Sequence, residues 1–369
     1  MAAREDILKR FDRIPDERMR QLLAPPDGPV RVIIDTDTAN EIDDQFALAW
    51  ALLSPERLQL EGVTAEPFTF RHMQAGMLEA RDILERGGAR TEREMALVAE
   101  YSSWLAGYAA KGQKPEDIVF TSPAEGQDLS YREIHTVFDK LKADPAGLVF
   151  AGAAGYLESF DRPLRTPAVE HIIARALAEP DRPLYVVAIG CVTNIASALL
   201  LAPEIANNIV VLWTSSYPSH APHSNEPSLN LVQDVLSSQL LFDCGVPHVY
   251  LPGYHVGAQL RISLPEMERF VKGRGAIGDY LFDLYTHNPI HHQRGVVDAT
   301  ARTWVIWDII NIAWLLNPGW VPSTLVRSPR LGDDFLWHHD PGRHLMREAH
   351  DVDRDAIFGD FYEKLKRAP

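Results

Sequence analysis

The sequence predicts an α/β protein: a mostly parallel, Rossmann-like sheet with helices on both faces and extra helices in the C-terminal part. Three observations carry this. The runs "VRVIID" from Val30, "PLYVVAIG" from Pro183 and "NNIVVLWTS" from Asn207 have the unbroken apolarity of strands buried on both faces. Helical stretches separate them, as the crossovers of a parallel sheet require. Finally, the first strand runs into "IDTDTANEIDDQF" (34–46), a crowd of acidic groups at a carboxyl end, which is where such sheets bind ligands.

The elements follow in order. "MAAREDILKRFDRIPDERMRQLL" alternates charge and apolarity at helical spacing, and "APPDGP" breaks it, so residues 1–28 form an N-terminal helix and linker ahead of a single domain, 29–369. "DDQFALAWALLSPE" is a helix stopping at Pro55, "LQLEGVTAEP" a strand, and "RHMQAGMLEARDILERGG" a helix closed by glycines. "TEREMALVAEYSSWLAGYAAKG" is a further long helix, and residues 74–118 lengthen one crossover enough to be an inserted helical pair. Helix and strand then alternate from "SYREIHTVFDKLKA" to "NNIVVLWTS". Beyond "VPHVYLPGYHVG" one strand and several helices are expected, with "TWVIWDIINIAWLLNPGW" among the helices.

Composition narrows the function. The 369 residues carry a net charge of -15 and no basic block, which excludes a nucleic-acid groove or an anionic membrane as partner. The amphipathic start has neither the apolar core of a signal peptide nor the length of a membrane span. Cys191 and Cys244 lie far apart, in neither a disulfide framework nor a CxxC motif, so a reducing, cytoplasmic setting is expected.

The acidic run is the most informative segment. Asp35, Asp37, Asp43 and Asp44 gather at a strand end and a helix start. Helix capping accounts for one or two of them, not four. Oxygen-only donors at this density suit a hard cation such as Ca²⁺ or Mg²⁺. Asp308, between Trp307 and Ile309 in an apolar helix, is a costly place for an unpaired charge.

The ordered segments "IDTDTANEIDD", "AIGCVTNIASALLLAPEI", "PSLNLVQD" and "WVIWDIINIAWLLNP" together resemble the inosine-uridine type nucleoside hydrolases over roughly Val30 to Pro318. The resemblance implies a nucleoside hydrolase fold, Ca²⁺ as cofactor, a small nucleoside as substrate and a homodimer or homotetramer. It implies release of a free base and ribose, as purine or pyrimidine salvage requires. By the same resemblance Asp37 is metal ligand and general base, with Asp44, Asp308 and the Ile189 carbonyl as further ligands. Asp43 meets the ribose 2′-hydroxyl, Asn230 the 3′-hydroxyl, and Asp35 steadies the cluster from behind.

Four departures mark the chain. The Asp37-to-Asp43 spacing is two residues longer than the family's, which aims Asn40 or Glu41 at the site. Thr69 falls near the family's sugar-binding Asn. Ser228 falls on its Glu, with Glu226 nearby as a substitute. Trp307 stands where many members have a leaving-group His, and a Trp can only stack or donate one hydrogen bond. The loops supply His220, His223, Tyr285, His287, His291, His292 and Arg294 as candidates, of which His287 and His291 are taken to touch the base. Two other classes compete. One is a ribose- or nucleoside-binding protein that keeps the Ca²⁺ site without catalysis. The other is a haloacid-dehalogenase-type Mg²⁺ phosphatase, which matches "DTDT" but leaves Asp43 and Asp44 unused and finds only "LGDD" (331–334) as its later acidic motif.

Overall fold

Strand after strand of branched apolar residues puts hydrophobic surface on both sides of the sheet, so helices must cover both faces. The computed structural model describes residues 4–288, 290 and 302–369. In chain order the main-sheet strands are β1 (Val30–Thr36), β2 (Leu58–Ala65), β3 (Val149–Ala151), β4 (Leu184–Ala188), β5 (Ile209–Ser215) and β6 (His248–Pro252). They are followed by β7 (Arg261–Ser263), β8 (Thr303–Val305), β9 (Ser323–Arg327), β10 (Arg330–Leu331), β11 (Trp337–His338) and β12 (Leu345–Ala349). The eight-stranded sheet runs β3-β2-β1-β4-β5-β6-β12-β9, parallel except for the β12–β9 edge pair. Every residue of β1, β4, β5 and β6 is buried.

Strand order reverses between β1 and β4, which makes a crevice at their carboxyl ends. Asp35 lies there, paired in register with Thr64 on β2 and Ala188 on β4. At the opposite end, Arg31 is 1% exposed and fully engaged. It donates to Glu61 at 2.8 and 3.0 Å, and to the carbonyls of Arg175 and Arg182 at 2.7 and 3.0 Å.

The structure revises four expectations. The N-terminal segment is two short helices, Arg4–Leu8 and Asp16–Leu22, divided where Pro15 lacks the N–H a continuous helix needs. It is no separate appendage: Ile7, Ile14, Met19, Leu22 and Leu23 are buried in the domain's two main cores. The helix expected from Ser130 begins at Pro123, where Ser122 and Glu125 form a capping box. Strands β9 and β12 extend the main sheet in a C-terminal region expected to be helical, because a parallel edge beyond β6 still exposes a ladder to pair. The run around Trp307 is not one helix: β8 ends at Val305 and the helix spans Ile309–Leu316, with Asp308 at its N-cap.

The expected helical pair is present as Met73–Glu85 and Glu92–Ala110. The helices cross closely at Gly76, where an added Cβ would lie 2.3 Å from the Tyr101 ring. Met73, Met77, Trp104, Tyr108 and Ile290 form a small core of their own beside the main ones. This hairpin places Glu100, Tyr101 and Trp104 over the carboxyl-end crevice.

Candidate active site

The site begins where β1 stops. After Thr36 the chain turns through Ala39, whose φ of 94° is in the left-handed region that disfavours a side chain. The helix Asp43–Leu52 then starts, so Asp43 and Asp44 occupy its positive end. The Asp44 carboxylate accepts from the Thr36 hydroxyl. Carboxylate oxygens of Asp43, Asp44 and Asp308 lie within 4.8 Å of one another, all buried.

Asp37 sits against this group with its two oxygens differently employed. Oδ2 accepts from Asn40 Nδ2 at 2.7 Å and Gln233 Nε2 at 3.4 Å, whereas buried Oδ1 has no partner among the described residues. Gly190, in the turn after β4, permits this packing, since a Cβ there would come 2.9 Å from Asp37 Cγ. Burial, then repulsion from neighbouring carboxylates, pushes Asp37, Asp44 and Asp308 well above the usual carboxylate range. Burial raises Asp43 to about 6. Carboxylates held this way, with an orphaned oxygen among them and no nitrogen or sulfur ligand in the group, fit a hard divalent cation.

Around the cluster the backbone is pinned. Asn311 Nδ2 donates to the Ala188 and Leu212 carbonyls at 3.2 Å each. Asn230 Nδ2 donates to the Ile189 and Thr214 carbonyls at 3.3 and 3.2 Å. Asn230 therefore does not cap its short helix, Leu229–Val232; Ser228 holds the cap position and its hydroxyl ties the loop by accepting from Ser216 N–H at 2.9 Å. Behind the site, Asp35 Oδ1 accepts from Thr64 at 2.5 Å and Asn194 at 2.9 Å. Glu66 adjoins it, its pKa pushed well up by burial and by Asp35. Cys191 is a buried free thiol whose Sγ lies 3.2 Å from a Glu66 carboxylate oxygen.

Nine predicted residues, Asn40, Glu41, Asp43, Asp44, Ile189, Glu226, Asn230, Trp307 and Asp308, line one cavity of about 330 Å³; fully buried Asp37 is not among the lining residues, and Asp35 is held by Asn194. His287 is not among them: its side chain is 77% exposed, and its Nδ1 lies 2.9 Å from Asp283, one turn back on the same helix. His291, His292 and Arg294 lie outside the described residues. His220 lines a separate cleft, and His223 packs on Tyr217 at 4.7 Å. Tyr285 donates to the Ile262 and Arg302 carbonyls rather than facing the cavity. "LGDD" starts in the β10–β11 hairpin, apart from the cluster. Sequence reasoning missed Gln233, Glu66, His72, Tyr101 and Trp104. Of these only Gln233 offered a signal, since it lies inside the recognised segment "PSLNLVQD".

Residues 32–358 match the family model described as inosine-uridine preferring nucleoside hydrolase. A pyrimidine-specific ribonucleoside hydrolase RihA of Salmonella paratyphi A is 26% identical over 294 residues, 78% of this chain and 79% of that protein. An Escherichia coli protein of the same name (strain SMS-3-5 / SECEC) is 27% identical over 164 residues, 42% of this chain, and the match spans about half, 49%, of its length. Among solved structures, the purine-preferring ribonucleoside hydrolase from Gardnerella vaginalis superposes with a TM-score of 0.59 at 18% identity, over 92% of this chain and 98% of that one. An inosine-guanosine nucleoside hydrolase gives 0.61 at 15%, over 92% and 99%. At these identities the structural likeness is one of fold. The family match over most of the chain establishes more: the protein belongs to the inosine-uridine preferring nucleoside hydrolase family.

Proposed function

We propose that this protein is a Ca²⁺-dependent N-ribohydrolase that splits a ribonucleoside, or a modified one, into free base and ribose. The observation that carries this is the partnerless, buried Oδ1 of Asp37 beside three clustered carboxylates at the floor of a nucleoside-sized cavity. Asp37, Asp44, Asp308 and the Ile189 carbonyl would hold the cation, which when bound supplies Lewis acidity toward water and a grip on the ribose diol.

The chain's own groups do the rest. Asp37 Oδ1 takes the proton of the attacking water, its orientation set by the Asn40 and Gln233 amides on Oδ2. The water oxygen bonds to C1′ while the N-glycosidic bond breaks and its electron pair leaves with the base. Asp43 accepts from the 2′-hydroxyl. Asn230, its NH₂ held by two carbonyls, accepts from the 3′-hydroxyl through its amide oxygen. Asp35 braces the strand end, and Trp307 offers the base a ring face.

The relatives named above divide between pyrimidine and purine specificity, so the base is assigned below from this chain's own cavity. Among the described residues no helix is long and apolar enough to cross a membrane. A homodimer or homotetramer in the cytoplasm, serving nucleoside salvage, completes the proposal. A pure binding protein would have little use for a carboxylate oriented by two amides and left open on one oxygen. The test is reducing-sugar release from a nucleoside panel with Ca²⁺, beside Asp37→Asn. Ribose from wild type alone is expected; equal release by the variant would overturn the role of Asp37, and no release by a Ca²⁺-loaded wild type would overturn the activity.

A further inference from the structure

We infer that the preferred leaving group carries a fixed positive charge, as in an N-alkylated purine or a pyridinium nucleoside; this rests on the N-ribohydrolase reading above. The upper wall of the cavity is aromatic and anionic. Tyr101 and Trp104 come from the helical hairpin; Trp304, which packs against the hairpin's small core, and Trp307 lie edge to face at 6.1 Å. Glu100 and Glu226 stand at the same wall. Both lie near the Tyr101 phenol, which burial first, then these two carboxylates, push up to about 12. Among the described lining residues there is no lysine or arginine. The lining imidazole, His72, is kept uncharged near neutrality, its pKa lowered by burial.

Aromatic faces with carboxylates beside them attract a delocalised cation, by cation–π attraction and by a Coulomb attraction that salt screens because both glutamates are exposed. Among the described lining residues little is offered to a neutral base, which must gain a proton as it leaves: the phenols of Tyr101 and Tyr254, both raised by burial, are weak acids. Trp307 cannot protonate it and His72 holds no proton to spare at neutral pH. A cationic base needs neither. Water oxygen bonds to C1′, the N-glycosidic bond breaks, and the bonding pair cancels the charge on the base nitrogen. One water proton goes to Asp37 and the other remains on the new anomeric hydroxyl. The base departs neutral, so the attraction that bound it falls away on the product side.

The experiment compares kcat/KM for 7-methylguanosine, below neutrality where its ring is cationic, with that for guanosine, in the Ca²⁺-loaded wild type, in Glu100→Gln, in Glu226→Gln and in the double variant that carries both. Cationic glycosides are inherently more labile, so the decisive quantity is the change in this ratio between proteins, which intrinsic lability does not alter. The ratio should fall by about tenfold in the double variant, with KM for the cationic substrate rising with salt in wild type. An unchanged ratio overturns the inference even if ribose is released from both substrates through Asp37, in which case the N-ribohydrolase reading stands. No release from any nucleoside overturns both. Melting temperatures of the variants, expected to match wild type because both glutamates are exposed, separate a lost contact from a lost fold.

Discussion

Replacing Asp44 by Asn should make the metal-free protein more stable and at the same time make it blind to Ca²⁺. The carboxylates of Asp43, Asp44 and Asp308 have oxygens within 4.8 Å of one another, and at an effective dielectric constant near 20 each fully ionised pair costs about 3 kcal/mol. Proton uptake by the raised carboxyls relieves part of this, leaving a gain of about 1–3 kcal/mol for neutralising one member. The Thr36 hydroxyl keeps an acceptor in the Asn oxygen. For a chain of 369 residues, with an unfolding entropy of about 2.1 cal/mol/K per residue, this corresponds to about 1–4 °C in Tm. Ca²⁺ at a hundred times its Kd should add about 2.7 kcal/mol to the wild type, or about 3–4 °C, and far less to the variant. Differential scanning calorimetry in chelator and in Ca²⁺ reads all four states. If the variant melts below wild type in chelator and still gains the full Ca²⁺ shift, the three carboxylates do not share a cation and the site assignment fails.

Three further outcomes are expected. His248 is buried against Trp213, Phe242 and Tyr250 with neither ring nitrogen partnered among the described residues, and burial lowers its pKa to about 3. Between that value and the unfolded pKa of about 6.5 the unfolded chain binds the extra proton, so stability falls as pH falls, by about 2 kcal/mol from this residue at pH 5. His248→Phe should narrow the loss between about pH 7.5 and 5 by that amount, and parallel urea-derived stability curves for the two proteins would refute it. Arg31→Met leaves carbonyls unpaired and removes one of the two arginines on Glu61, costing about 3 kcal/mol in denaturant titration; a loss under about 1 kcal/mol would mean that the buried ion pair is energetically neutral. Trp104→Ala removes a wall of the cavity from a satellite core and should raise KM about tenfold with a smaller effect on kcat; an unchanged KM would detach the hairpin from substrate binding.

Much of the fold and the cluster was legible along the chain because their determinants are local. A β-branched run in β1 and the helix start at Asp43 lie within one short segment, and that strand–turn–helix alone brings Asp37, Asp43 and Asp44 to the carboxyl end of β1, with Asp35 behind them. Periodicity also revealed the helical pair at 74–118. Errors arose where several nearby rules compete: "TWVIWDIINIAW" has apolarity enough for one helix, yet pairing with β7 draws Thr303–Val305 into a strand and leaves Asp308 at the cap. His287 was suggested by its loop composition, but its side chain is 77% exposed, with Nδ1 beside Asp283 at 2.9 Å.

The sequence by itself determined the parallel α/β architecture, the acidic cluster and the segments that match the family, since each depends on residues near one another in the chain. Only the tertiary structure decided which groups meet across the crevice: Gln233 on Asp37, Asn230 on the Ile189 carbonyl, Glu66 beside Asp35, and Glu100, Tyr101 and Trp104 above the cavity. Those contacts join residues separated by up to 196 positions. Their partners are selected by packing of the hairpin and the strand ends, and a side chain's neighbours across such a gap leave no period or spacing in the chain to read.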